Sequence, residues 1–250
     1  TLFRSFSLSL LRLNETFEKA INADVQTVGW QKPVPFAPMK TQRHNPVYNQ
    51  LEIEPSENPQ VKTLVSTAAR TLVDLENRLN ALDAKVGDGD TGSTFAEGAR
   101  EIIHLLEQGE LPLNNTAQLL QLVGERLATV MGGSSGVLMS IFFTAAGQAV
   151  HDGKSLPEAL HRGLHQMKHY GGADLGDRTL IDALQPALEA LRDSGLDAAA
   201  SAAKAGAAKT ATMQTAGACR SSYVNSESLE GVTDPGAVAI AEVFAALAKG

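Results

Sequence analysis

The sequence predicts an all-α domain, eight helices in an antiparallel up-and-down barrel or bundle, preceded by a short strand–helix remnant of an upstream α/β domain. Three observations lead there. Past residue 60 the composition turns to helix formers, and cap signals cut it into eight segments of helix length. No period-two apolar run of comparable length remains in that region. Ahead of it, six of the ten prolines (Pro33, Pro35, Pro38, Pro46, Pro55 and Pro59) fall in one stretch with little apolar periodicity, the mark of an extended linker.

Taken in order, Phe6, Leu8 and Leu10 alternate with Ser7 and Ser9, the pattern of a half-buried strand, and Asn14 opens a helical stretch to Ala23. A lone strand can neither pair its edges nor bury its face. Residues 1–30 are therefore expected to be the C-terminal tail of a domain lying upstream, 31–59 an interdomain linker and 60–250 the helical domain. The eight expected helices cover about 60–82, 95–109, 116–130, 134–150, 156–170, 178–195, 197–214 and 235–249. Thr94 with Glu97 and Ser155 with Glu158 have capping-box spacing, and Asp234 before Pro235 is an N-cap followed by proline at the first helical position.

The formal net charge of -7 and pI near 5.4 argue against nucleic acid or an anionic membrane as partner. The single cysteine, Cys219, allows no intrachain disulfide and no zinc cluster, which fits a reducing compartment, the cytoplasm by default. The longest apolar stretch, residues 136–150, is short for a membrane span, and the N-terminus lacks a signal-peptide layout.

In an up-and-down arrangement alternate loops share an end. The odd loops, 83–94, 131–135, 171–179 and 217–236, hold nearly all the Gly, Asp and Ser/Thr density of the domain, so function is expected at that end. In the first of them Asp83, Asp88 and Asp90 offer hard oxygen ligands of the kind Mg²⁺ takes; an acidic turn in solvent is the alternative. "MGGSSG" leads into a helix. Its N-terminal N–H groups, two glycines and the hydroxyls of Ser134 and Ser135 form either a phosphate cradle or a glycine turn with a serine cap. A phosphate cradle and an aspartate triad at one end together suggest a Mg²⁺-nucleotide site. Arg178 either contacts phosphate or pairs with Asp177 or Asp174, and Asp234-Pro235-Gly236 is either a helix start or a lid over a base.

Three other features carry less. "GKS" at 153–155 lacks the glycine that a phosphate-binding loop needs at 148, follows a helix instead of a strand, and lies at the other end. His161, His165 and His169 share a helix face but have no acidic or cysteine partner, and read as a solvent-facing stripe. Cys219 has no nearby histidine and reads as a loop residue.

"ALDAKVGDGDTGSTF", "MGGSSGVLMSIFFTAAGQ", "YGGADLGDRTLIDALQPAL" and "DPGAVA" closely resemble the nucleotide-binding C-terminal (L) domain of ATP-dependent, two-domain dihydroxyacetone kinases, over about residues 60–250. The resemblance implies an eight-helix antiparallel barrel with the nucleotide at one end. It implies that Asp83, Asp88 and Asp90 hold two Mg²⁺ ions bridging the ATP phosphates and that Ser134 and Ser135 contact phosphate. Asp88, Gly89, Asp90, Thr91, Gly171, Thr179, Leu180, Asp234, Pro235 and Gly236 would line the nucleotide pocket. Residues 1–30 resemble the end of the substrate-binding K domain, which would hold dihydroxyacetone through a histidine outside this chain and present its hydroxyl to the γ-phosphate. No catalytic base is required of these residues: the fragment would bind nucleotide without phosphorylating dihydroxyacetone, and the full-length protein would be a homodimer.

Two departures are visible: Leu180 stands where the family often has Met, a volume-conserving swap, and "CRSSY" at 219–223 replaces "GRASY", which bears on the conformation of the loop 217–233. Family members also suggest FAD-AMP lyase activity forming cyclic FMN at the same site, or a subunit whose bound ADP is rephosphorylated by a carrier protein. A non-catalytic nucleotide-binding domain would require the loss of metal ligands, and all three aspartates are present.

Overall fold

The computed structural model describes residues 14–23, 53–218, 220–223 and 226–250. The chain forms two compact units, one of Phe3–Gln50 and one containing Leu51–Gly250. In the first, α1 (Glu15–Ile21) starts where its cap predicts: the Asn14 side chain accepts the N–H of Phe17 at 2.8 Å. The expected strand at 6–11 and most of the expected linker lie outside the described residues.

The larger unit is all-α, with no strand among the described residues. Its helices are α2 (Pro59–Asp74), α3 (Glu76–Asp83), α4 (Thr91–Gln108), α5 (Thr116–Val130), α6 (Gly133–His151), α7 (Leu156–Gly171), α8 (Ile181–Ser194) and α9 (Leu196–Thr210), then the short α10 (Ser226–Leu229) and finally α11 (Pro235–Leu247). The first expected helix is two, broken at Leu75. Counting α2 and α3 as one broken rod, eight rods follow one another, each packed on the next, and α11 packs on both α9 and α2. That last contact closes the ring. An Arg78–Glu242 ion pair at 2.7 Å spans the α3–α11 seam.

Capping chemistry explains most helix starts and corrects one. Asn58 and Asn115 accept N–H groups of Val61 and Gln118, and Ser155–Glu158 forms the expected capping box. Thr94 with Glu97 does not. Helix α4 already begins at Thr91, with Asp90 at its N-cap, so Thr94 lies inside it. The segment before α2 belongs to the ring: Ser56 pairs in a parallel bridge with Pro112, and the Leu113 N–H reaches the Ser56 carbonyl at 3.2 Å.

Small residues set the closest approaches. Ala183 and Ala187 of α8, Ala199, Ala203 and Ala207 of α9, and Ala237 and Ala241 of α11 form one buried cluster. Leu79, Phe95, Ile102, Leu105 and Leu127 anchor a second around α3 to α5. Pro186 lies inside α8 and has no N–H to donate to the Asp182 carbonyl one turn back. Gly206 of α9 packs onto that carbonyl, where a Cβ would sit 2.0 Å away. Helix α6 has 19 residues and is the one helix among the described residues long and apolar enough to cross a membrane. In the ring it lies between α5 and α7, with the Gly147 backbone pressed against Ala117 and Gln121 of α5.

Candidate functional site

The first, fifth and seventh loops converge as alternate loops of an up-and-down ring should. In the first, α3 ends at Asp83, whose carboxylate is buried and turned back onto its own loop. Asp83 Oδ2 accepts the backbone N–H groups of Gly89, Asp90 and Thr91 at 3.1, 3.0 and 3.2 Å. These bonds curl residues 84–90 around the carboxylate, and two glycines permit the curl. Gly89 has φ of +81°, and a Cβ at Gly87 would stand 2.3 Å from Asp83 Oδ1.

The curl brings Asp83, Asp88 and Asp90 together, each with one carboxylate oxygen within 4.8 Å of the other two. Asp90 is the N-cap of α4, yet its side chain makes no capping bond. Its carboxylate is thus left for another partner, against the usual habit of aspartate at that position. Three carboxylates so close repel one another unless a cation lies among them. The donor set is all oxygen and anionic, which fits Mg²⁺ and not a soft metal. Among the described residues no other group of three His, Cys, Asp or Glu side chains has metal-site geometry, so the His161, His165 and His169 stripe forms no such site.

The fifth loop is organised by a residue outside the sequence-derived set. Asp182, buried in the first turn of α8, accepts the N–H of Gly176 at 2.7 Å through Oδ1 and that of Thr179 at 2.8 Å through Oδ2. The T-x-x-D spacing of Thr179 and Asp182 was the available signal. Arg178 follows neither sequence-based alternative. Its side chain is fully buried, its φ is +59°, and Nη2 donates to the Val232 carbonyl at 2.6 Å. Asp174 pairs instead with Lys168 at 2.5 Å, and Asp177 accepts the Asp174 N–H.

Residues 232–236 complete this end. Asp234 caps α11 by accepting the Ala237 N–H at 2.7 Å, and its own N–H donates to the buried Thr210 hydroxyl at 2.9 Å. Burial pushes its carboxyl up to about 7, the Ala237 bond and the Arg178 charge oppose the rise, and the negative charges of Asp182 and Asp83 add to it. Asp83, Arg178, Asp182 and Asp234 therefore share one electrostatic neighbourhood, although they come from the first, fifth and seventh loops. A Cβ at Gly236 would lie 3.1 Å from the Leu180 Cβ, so Thr179–Leu180 and Asp234–Gly236 are adjacent. Gly171 abuts Leu138, near the start of α6.

At the third loop, α6 opens on Gly132 and Gly133 without a side-chain cap, so its first-turn N–H groups face outward beside Ser134, exposed, and Ser135, half-buried. Cys219 lies outside the described residues, and "GKS" at 153–155 does no more than cap α7.

Residues 85–249 match the DAK2 domain. The chain belongs to the DAK2 domain family. The match begins at Lys85, so Asp88, Asp90 and the later loops lie within it and Asp83 just before it. The chain is 55% identical over 98% of its length to a dihydroxyacetone kinase of Citrobacter freundii, and covers 45% of that protein. It is 38% identical over 96% of its length to a human triokinase/FMN cyclase, again covering 45%. The crystal structure of the C. freundii dihydroxyacetone kinase in its native form superposes with a TM-score of 0.77, over 95% of this chain and 43% of that one. The structure of the same enzyme in complex with AMP-PNP and Mg²⁺ gives 0.74, over 95% and 42%. This DAK2 chain thus spans less than half the length of these relatives.

Proposed function

We propose that this chain supplies the Mg²⁺-ATP site of a dihydroxyacetone kinase, and that a K domain outside it supplies the acceptor. The observation that carries the reading is the curled loop that holds Asp83, Asp88 and Asp90 within ligand distance of one another, in a chain 53% identical to a kinase solved with AMP-PNP and Mg²⁺. Bound there, two Mg²⁺ ions would neutralise the phosphates of ATP during phosphoryl transfer.

The protein's own residues position the nucleotide. Asp88 and Asp90, both exposed, face the metal, while Asp83 holds the loop's N–H groups with one oxygen and keeps the other for the cation. The uncapped start of α6, with Ser134 and Ser135, offers N–H and hydroxyl donors to phosphate. Gly89, Thr91, Gly171, Thr179, Leu180 and Asp234–Gly236 line the nucleotide. No group of this chain needs to remove the acceptor's proton; positioning and charge neutralisation carry the transfer. With its partner domain the protein would phosphorylate dihydroxyacetone as a homodimer, and this chain alone would not.

A second reading, release of AMP from FAD with formation of cyclic FMN, is favoured by the 38% identity to a triokinase/FMN cyclase. Joined to its K domain, the protein should consume ATP only when dihydroxyacetone is present. AMP release from FAD without consumption of ATP would favour the cyclase.

A further inference from the structure

We infer that Arg178 is a positioning residue that clamps the start of α8 to the start of α11, and so fixes the part of the pocket left for the nucleoside once the aspartate triad and the α6 N-terminus take the metal and the phosphates. The inference rests on the Mg²⁺-ATP reading of this end of the ring. Arg178 is fully buried, and of its guanidinium nitrogens only Nη2 has a partner, the Val232 carbonyl at 2.6 Å across 54 residues of sequence. Nε and Nη1 are buried without one.

A buried cation with two unsatisfied donors is a poor device for stability, since an apolar side chain of similar volume would remove both donors and leave only the Val232 carbonyl without its partner. What Arg178 does achieve is local. Its φ of +59° turns the chain sharply before Thr179, and its charge faces Asp234, the α11 cap. The two segments it joins are those that bring Leu180 and Gly236 into contact. Asp182 holds the Thr179 N–H from one side and Thr210 holds the Asp234 N–H from the other, so each segment is tied to its own helix, and Arg178 adds a side-chain tie between them. The aspartate triad and the α6 N-terminus lie on other loops, and Arg178 makes no hydrogen bond to either.

The test is calorimetric titration of Mg²⁺-ATP and of Mg²⁺-tripolyphosphate into the wild type, Arg178→Met and Arg178→Lys. The clamp predicts that Arg178→Met keeps its melting temperature, weakens ATP binding about tenfold or more, as expected for loss of one charged hydrogen bond, and leaves tripolyphosphate within twofold, while Arg178→Lys recovers part of the ATP loss. Equal affinities of Arg178→Met and wild type for ATP would overturn the inference while leaving the Mg²⁺-ATP reading intact, and so would equal losses for ATP and tripolyphosphate. Should Arg178→Met not fold, Arg178→Lys decides by the same comparison: a loss confined to ATP supports the clamp, and any other pattern overturns it. A wild type that binds neither ligand would overturn both the reading and the clamp.

Discussion

Within the triad, the three aspartates play unequal parts. Asp83 is buried and accepts three backbone N–H groups, whereas Asp88 and Asp90 are exposed. Asp83→Ala should therefore destabilise the chain by about 2 kcal/mol or more, with the loop's donors left unpaired, while Asp88→Asn should lower stability by less than about 1 kcal/mol. Both should weaken Mg²⁺-ATP binding. Urea denaturation beside nucleotide titration separates the two effects, and equal stability losses would contradict the geometry. Asp234 gives a pH test. Its carboxyl is raised from 3.8 to about 7 in the fold, so the folded state holds that proton more tightly than the unfolded chain does. The resulting stabilisation is complete below about pH 4 and is lost as pH rises through about 7. Asp234→Asn keeps an acceptor for the Ala237 N–H and removes the titration. The decline in urea midpoint between pH 4 and 7 should be smaller in the variant than in the wild type; equal declines would place the effect elsewhere.

At the scale of elements, helices meet where glycine allows it, and those meetings aim the site. A Cβ at Gly92 would lie 2.0 Å from the Glu76 carbonyl, and Asn80 clamps the same junction by accepting the Ser93 N–H and donating to its hydroxyl. Gly92→Ala should push α4 away from α3, and with it Asp90 from Asp83, destabilising by about 1–3 kcal/mol. It should also weaken metal-dependent nucleotide binding, which a thermal shift with and without Mg²⁺-ATP would show. Most helix starts were legible in sequence because capping is local chemistry, as at Asn14, Ser155 and Asp234. The start of α4 was not. Thr94 and Glu97 have the right spacing for a box, but the Asp83 carboxylate organises the N–H groups of Gly89, Asp90 and Thr91 and sets the helix start three residues earlier than Thr94. The break at Leu75 carried no proline or glycine to announce it.

Across the whole molecule, the up-and-down order of the ring is what brings three separated loops into one neighbourhood. That convergence was legible from loop parity alone for the first, fifth and seventh loops, because short connections leave helices few ways to pack. The clamp at Arg178 was not, since a charged side chain in a loop reads as exposed until the fold buries it. The nucleotide site proposed for this end of the ring needs a cation among Asp83, Asp88 and Asp90. Calorimetric titration of ATP into this chain, first with Mg²⁺ and then with EDTA, tests that most directly. Saturable binding with Mg²⁺ that EDTA abolishes is the expected result; the same affinity in EDTA, or no binding in either buffer, would rule out a cation-held nucleotide there.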